Sequence, residues 1–336
     1  MLESKQDKYK SPVTAILTGI FDLFRRSRPD CFLMPSDRLD GKTVLVDGAS
    51  SGLGFAIATE VARRGAKVIM ACRSGIPEKG EKVKKLSGNN DVHMVFVDFR
   101  DLSGIRHLAS VIQDKYAPID IYICNSAIVP YKSRKTPQGL EEMFMVNYLS
   151  KFIFVNLLFS PLSAPIPNPS PTRGKGVERI IFITSESHRN PKEFIWNDFG
   201  KYREYGINKS VELYGYYKLY LVTFARELSR RLNKPGTPGI SVFALCPGPV
   251  NSNIAREAPK IFKPLLKLVF GIFFRSPQKA ATPAVYLAAS KEEEGKPFDY
   301  LFLMNRKTID PKAEDPENGK KLWDLSENLI TELLNR

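Results

Sequence analysis

The sequence predicts an α/β fold: a doubly wound parallel sheet, covered by helices on both faces, in a single domain. Two observations predict it. Short apolar runs of strand length recur at 43–46, 67–71, 94–97, 119–124, 179–184 and 241–246. Segments of helical periodicity separate them, at 55–64, 104–116 and 140–158. Strand alternating with helix is the order in which crossovers join parallel strands, and each crossover lays a helix on a sheet face. No internal repeat and no second domain is visible, so residues 41–336 read as one domain behind a leader at 1–40.

Composition agrees and narrows the function. With 43% hydrophobic residues in 336, the chain has material for a sizeable core, which excludes global disorder. The net charge of +14 favours an anionic partner: nucleic acid, membrane surface or a phosphorylated cofactor. No nucleic-acid motif is present, so no nucleic-acid partner is expected. Cys31, Cys72, Cys124 and Cys246 show no CxxC spacing and read as reduced, buried thiols of a reducing compartment. His93, His107 and His188 are isolated, so no metal site is expected. The first residues mix acidic with basic side chains and are followed by no cleavage site, and no apolar run reaches the ~18 residues of a spanning helix. A cytoplasmic protein is expected, with peripheral membrane contact left open.

The first strand runs into Asp47-Gly48-Ala49-Ser50-Ser51-Gly52-Leu53-Gly54. Glycines at 48, 52 and 54, after a strand and before a helix, permit a sharp turn and close backbone approach to a pyrophosphate. The helix then offers free N–H groups to that anion. The second strand ends at Arg73, where a reader of the NAD ribose hydroxyl would be acidic. A guanidinium there suits a 2′-phosphate. Asp98-Phe99 ends the third strand, where an acidic group can meet the adenine amino group. Lys79, Lys82, Lys84 and Lys85 read as a solvated helix face.

Tyr214-Gly215-Tyr216-Tyr217-Lys218 spaces a tyrosine and a lysine four apart, on one helix face. The ammonium is expected to lower the phenol's pKa from its usual ~10 toward the working range. Ser185, after the fifth strand, can donate to a substrate carbonyl. Asn147 falls inside the long helix at 140–158, where it can support a water chain to Lys218.

Taken in order, the glycine turn, Cys124-Asn125-Ser126-Ala127, Asn147, Ser185, Tyr214 with Lys218, and Pro247-Gly248-Pro249-Val250 resemble the short-chain dehydrogenase/reductase family. The resemblance covers roughly Asp40 to the C-terminus. It implies one Rossmann-type domain with about seven strands, an Asn147–Ser185–Tyr214–Lys218 tetrad, and hydride transfer at nicotinamide C4. It also implies that Asn125 and Ala127 flank the cofactor, and that Pro247, Gly248, Val250 and Ser252 contact its nicotinamide end. Ala71-Cys72-Arg73, Ser185-Glu186-Ser187-His188-Arg189 and Lys321-Leu322-Trp323-Asp324-Leu325-Ser326 resemble the retinol dehydrogenase and WW-domain oxidoreductase branch, to which protochlorophyllide reductases are close. That branch implies NADP(H) and lipophilic carbonyls or alcohols. Two positions depart from the family pattern. Asp47 stands where threonine is common and is expected to add negative charge near the phosphates. Ile128 stands where glycine is common and is expected to add bulk near the adenine ribose.

Further features bear on substrate. Phe194, Trp196, Phe199, Tyr202 and Tyr205 lie among the 28 residues between Ser185 and Tyr214. They line an apolar pocket or pack as an ordinary loop. By the family resemblance a substrate lid is expected after the Pro-Gly motif, at about 251–280. Within it 259–275, like 12–28 in the leader, joins apolar positions to basic ones. Each is either an interfacial helix or a protein contact, to the domain itself or to a second subunit of a homo-oligomer. The reading is an NADP(H)-dependent oxidoreductase that interconverts a small lipophilic carbonyl and its alcohol. The alternatives are a light-dependent protochlorophyllide-type reductase or a non-catalytic NADPH-binding regulator.

Overall fold

Side chains that alternate along buried strands divide the interior into two cores, one on each sheet face. Leu45, Ile69, Ala71, Val242 and Ala244 point to one face, while Val44, Val46, Val68, Met70, Phe243 and Leu245 point to the other. The computed structural model describes residues 29–158, 177–234, 239–250 and 275–335. Its sheet comprises β1 (Thr43–Asp47), β2 (Lys67–Cys72), β3 (Val92–Phe96), β4 (Ile121–Cys124), β5 (Arg179–Ile183), β6 (Ser241–Cys246), β7 (Phe298–Phe302) and β8 (Asn305–Arg306). The spatial order is β3-β2-β1-β4-β5-β6-β7-β8. Strands β1 to β7 are parallel, and β8 adds a two-residue antiparallel edge to the expected seven.

The chain leaves β1 toward β2 and β3, then returns to place β4 on the other side of β1. At that switch point the connections diverge and open a crevice beyond the strands' C-terminal ends. On one face α1 (Gly52–Arg63) packs against α6 (Pro277–Ala289). On the other lie α3 (Leu102–Lys115), α4 (142–158), α5 (Ile207–Leu232) and α8 (Pro316–Leu334). The edge helix α2 (Glu78–Ser87) and the short α7 (Pro311–Glu314) complete the set. Trp323 of α8 is 1% exposed and stands edge-on to Phe152 at 4.8 Å, with the Arg231 guanidinium 4.0 Å from its ring centroid.

Helix α4 is not the uninterrupted α-helix expected from its periodicity. Glu141 caps it, accepting from Met143 and Phe144 N–H, and residues Met145–Leu149 form a π-helical turn. The local cause is a carbonyl claimed by side chains: Val146 O accepts from Ser150 Oγ at 3.1 Å and Lys151 Nζ at 2.7 Å. The segments 12–28, 160–171 and 259–274 and Ser252 lie outside the described residues. Of the expected lid, residue 275 onward is described, and Arg275 N–H donates to Pro249 O at 3.0 Å, so the ends that frame 251–274 are neighbours. Among the described residues no helix is long and apolar enough to cross a membrane.

The turn after β5 is tied to the C-terminal part of the chain through His188, which is fully buried. Its Nδ1–H donates to Ser185 O at 2.7 Å and its Nε2 accepts from Asp310 N–H at 3.3 Å, so the neutral imidazole bridges the two. Burial, then the nearby Arg189 charge, push His188 down to about 4 from 6.5, against the opposing pull of the Ser185 carbonyl, Glu186 and Asp310. A folded-state pKa below the unfolded one adds stability above the unfolded pKa that is lost as pH falls through the window between them. From 6.5 to 4 that loss amounts to about 3 kcal/mol. Urea unfolding at about pH 7 and about pH 4.5 is expected to show it in the unmodified chain, and a much flatter dependence in His188→Gln. Equal pH dependence in both would remove His188 as the cause.

Candidate active site

Every strand that borders the switch point ends in residues the sequence singles out, and they meet around one cavity of about 430 Å³. The glycine turn after β1 forms its floor. Gly48 and Gly52 have φ of +62° and +55°, which disfavours any side chain. At Gly54 a Cβ would come within 2.4 Å of Asn125 Nδ2 and 2.5 Å of Gly48 O, so glycine is required by packing. Ser51 caps α1 without a side-chain bond, and the first turn holds no acidic residue. Ser50, Ser51 and Leu53 also line the cavity. A helix N-terminus left open to the cavity, with backbone brought close by glycines, fits the pyrophosphate of a dinucleotide.

Arg73 lies at one end, exposed on the cavity rim after β2. Asp98 and Phe99 follow β3 beside it. The Asp98 carboxylate is held by Arg100, whose backbone N–H and Nε donate to Oδ1 at 3.0 Å each. Burial raises the Asp98 carboxyl, but the hydrogen bonds from Arg100, helped by its charge and that of Arg73, more than reverse this and leave it below its usual value. Arg100 lines the cavity and was not singled out from sequence, although it follows Asp98 by two residues at the strand end.

Ser185, Tyr214 and Lys218 line the other end, with Cys246, Pro247, Gly248 and Val250 from the β6 terminus and Asn125, Ala127 and Ile128 from the β4 terminus. Ser185 Oγ accepts from Ser187 N–H at 3.2 Å, which caps the 3₁₀ turn Glu186–Arg189 and fixes the hydroxyl. Lys218 is 2% exposed, lies 5.5 Å from the Tyr214 ring centroid and donates to Ile183 O at 2.8 Å. The phenol's pKa is not lowered as expected. Burial, then the neighbouring Cys246, raise it above its usual value despite the Ser185 hydroxyl. The lysine yields instead: burial, then the charge of Lys151, push Lys218 down to about 7, well below an ordinary lysine.

Asn147 is fully buried on the π-helical turn. Its Oδ1 accepts from Ile128 N–H at 2.8 Å and its Nδ2 donates to Ile128 O at 2.9 Å. The side chain therefore braces the cavity wall at Ile128 rather than reaching toward Lys218. The aromatic insertion does not line this cavity. Phe194 and Trp196 stack at 4.3 Å and 9° beside Tyr220, Phe199 meets Phe144 edge-on at 4.9 Å, and the Tyr205 hydroxyl donates to Glu141. Four of these aromatics, Phe194, Trp196, Phe199 and Tyr205, gain more from covering the core than from solvent-facing positions. Tyr202 lies beneath Lys135, whose Nζ is 4.7 Å from the ring centroid.

Asp47 adds no charge to the phosphate cradle. It is fully buried beneath it and points to β4, where its Oδ1 accepts from Asn125 N–H at 2.6 Å and from Ser126 N–H. Its Oδ2 accepts from the Tyr122 hydroxyl at 2.7 Å and faces Lys151 Nζ at 3.8 Å. Lys151 is 1% exposed, and sequence reading passed it over. The signal was there: a lone lysine in the apolar run 144–158, four residues after Asn147, and a lone aspartate closing an apolar strand.

Residues 42–196 match the family model described as short chain dehydrogenase. The chain is 33% identical to human retinol dehydrogenase 14 over 87% of each chain. It is 32% identical to human WW domain-containing oxidoreductase over 88% of this chain and 69% of that one. Among solved structures, an uncharacterized protein from Mycobacterium paratuberculosis superposes with a TM-score of 0.64 at 27% identity, over 88% of this chain and 95% of that one. Identity of this extent over almost the whole domain leaves one conclusion: the chain belongs to the short-chain dehydrogenase family, in its retinol dehydrogenase branch.

Proposed function

We propose that this chain uses NADP(H) to interconvert a lipophilic carbonyl compound and its alcohol. Its family supports an oxidoreductase acting between alcohol and carbonyl. The observation that carries the finer reading is that one cavity is lined both by Arg73 and by the proton-handling residues Ser185, Tyr214 and Lys218. Relatives named for retinol favour a lipophilic substrate.

In this reading the glycine turn and the α1 N-terminus hold the pyrophosphate, and Arg73 holds the 2′-phosphate. Asp98 and Phe99 border the adenine, and Asn125, Ala127 and Lys218 border the riboses. Pro247, Gly248 and Val250 border the nicotinamide, which supplies or accepts the hydride. The Ser185 hydroxyl donates to the substrate oxygen and orients it. The Tyr214 hydroxyl gives its proton to that oxygen during reduction and recovers one during oxidation. Lys218, poised near neutrality, returns a proton to Tyr214. Asn147 serves the relay by holding Ile128 and the π turn in place.

Two variants test the reading. Tyr214→Phe keeps the ring and removes the proton, so NADPH titration is expected to stay nearly unchanged while turnover falls by about 10²-fold or more. Turnover near that of the unmodified chain would remove Tyr214 from the reaction. Arg73→Ala is expected to weaken NADPH binding by about 1.5–3 kcal/mol, or roughly 10- to 150-fold, with NADH binding little changed. Equal loss for both cofactors would show that Arg73 does not read the phosphate.

A further inference from the structure

We propose that Asp47 and Lys151 act as one positioning pair of opposite charges beneath the cofactor cavity, and that together they clamp the 125–127 wall to the π turn of α4. Each group reaches a functional segment. Asp47 binds the wall through Asn125 and Ser126 N–H. Lys151 binds the same wall through Ser126 Oγ and the π turn through Val146 O, next to Asn147. Asn147 in turn grips Ile128, so the segment from Asn125 to Ile128 is held at both ends.

Neither charge is tenable there alone. Both residues are essentially inaccessible to water, and a buried ion without its counter-ion is strongly unfavourable. A neutral hydroxyl at position 47 would accept fewer hydrogen bonds from the wall and would require no lysine at 151. The pair therefore does more than fill space: it anchors the wall that lines the cavity together with Lys218. Tyr214 stands beside Lys218 on its own helix, and the charges that act on it come from Lys151 on α4, Cys246 on β6, Asp47 on β1 and Cys124 on β4. Lys151 lowers its proton affinity and Asp47 raises it. Lys151 is itself pulled down by burial and held up by Asp47 and Cys124, and its Nζ lies 4.6 Å from the Phe99 ring centroid.

The inference rests on the NADPH reading for the cofactor measurement below. NADPH is titrated by fluorescence into the full chain across pH, with Lys218→Met identifying the midpoint that belongs to Lys218. Lys151→Met is expected to move that midpoint up by about one unit and Asp47→Asn to move it down by about one unit, with the double variant in between and Lys151→Arg unchanged. Each single neutralisation is expected to weaken NADPH binding by about tenfold, and the double variant by less than the product of the two. Melting temperature reads the pair without cofactor: each single variant falls by about 6–10 °C, and the double recovers most of the loss. Midpoints that do not separate, or losses that simply multiply in affinity and add in melting temperature, would overturn the proposal. A single variant that fails to fold while the double folds supports it, and the Lys151→Arg and double midpoints then test the bias on Lys218. If the intact chain binds no NADPH, the cofactor reading fails separately, and recovery of melting temperature in the double variant still decides whether the pair is coupled.

Discussion

In a parallel sheet every strand ends on the same edge, and in this chain the order of strands around β1 opens that edge into a crevice. The rest follows from this constraint. The Gly48–Gly54 turn, Arg73, Asp98, Asn125, Ser185 and Pro247 come from six different strand ends separated by some two hundred residues of sequence. They line one cavity because the sheet delivers them there. The middles of β1, β2, β5 and β6 are apolar on both faces, and the polar groups of these strands stand at their ends.

The same edge is a place of low dielectric, and the chemistry depends on how charges are managed in it. Tyr214, with its hydroxyl pushed up by burial, stays a protonated phenol in the free chain, while Lys218 beside it is brought near neutrality. The proton donor is therefore loaded for reduction. Three titratable groups around them are partnered: His188 as a neutral bridge, Glu186 against Arg189 and Lys307, Asp47 against Lys151. Buried pairs of this kind add little net stability relative to apolar packing, but removing one partner is costly, and that asymmetry makes the site's geometry intolerant of single changes.

Much of this was legible in the sequence. The strand and helix periods gave the architecture, because parallel strands buried on both faces must read as continuous apolar runs. The glycine turn was legible because its spacing answers a steric demand, and Gly54 meets it against Asn125 and Gly48. What was not legible depends on contacts between distant segments. Asp47 was assigned to the phosphates because its neighbours in sequence are the cradle glycines, whereas its neighbours in space are Tyr122, Asn125, Ser126 and Lys151. Asn147 was placed in a regular helix because periodicity cannot register a carbonyl taken by side chains, as Val146 O is. The spacing to Lys218 predicts a lowered tyrosine pKa, but spacing does not register the burial of Tyr214 itself, which raises it. The aromatics of the 190s offered two readings, and only packing against Tyr220 and Phe144 chose between them.

The central claim is hydride transfer between NADP(H) and a lipophilic substrate in this cavity. The most direct measurement is to incubate the full chain with NADPH deuterated at nicotinamide C4 and a panel of lipophilic aldehydes and ketones, then locate the deuterium by mass spectrometry. The account predicts deuterium on the carbinol carbon of at least one product, in amounts matching the NADPH oxidised. Binding of NADPH without transfer to any carbonyl in the panel would contradict it and leave a cofactor-binding protein that does not carry out this reaction.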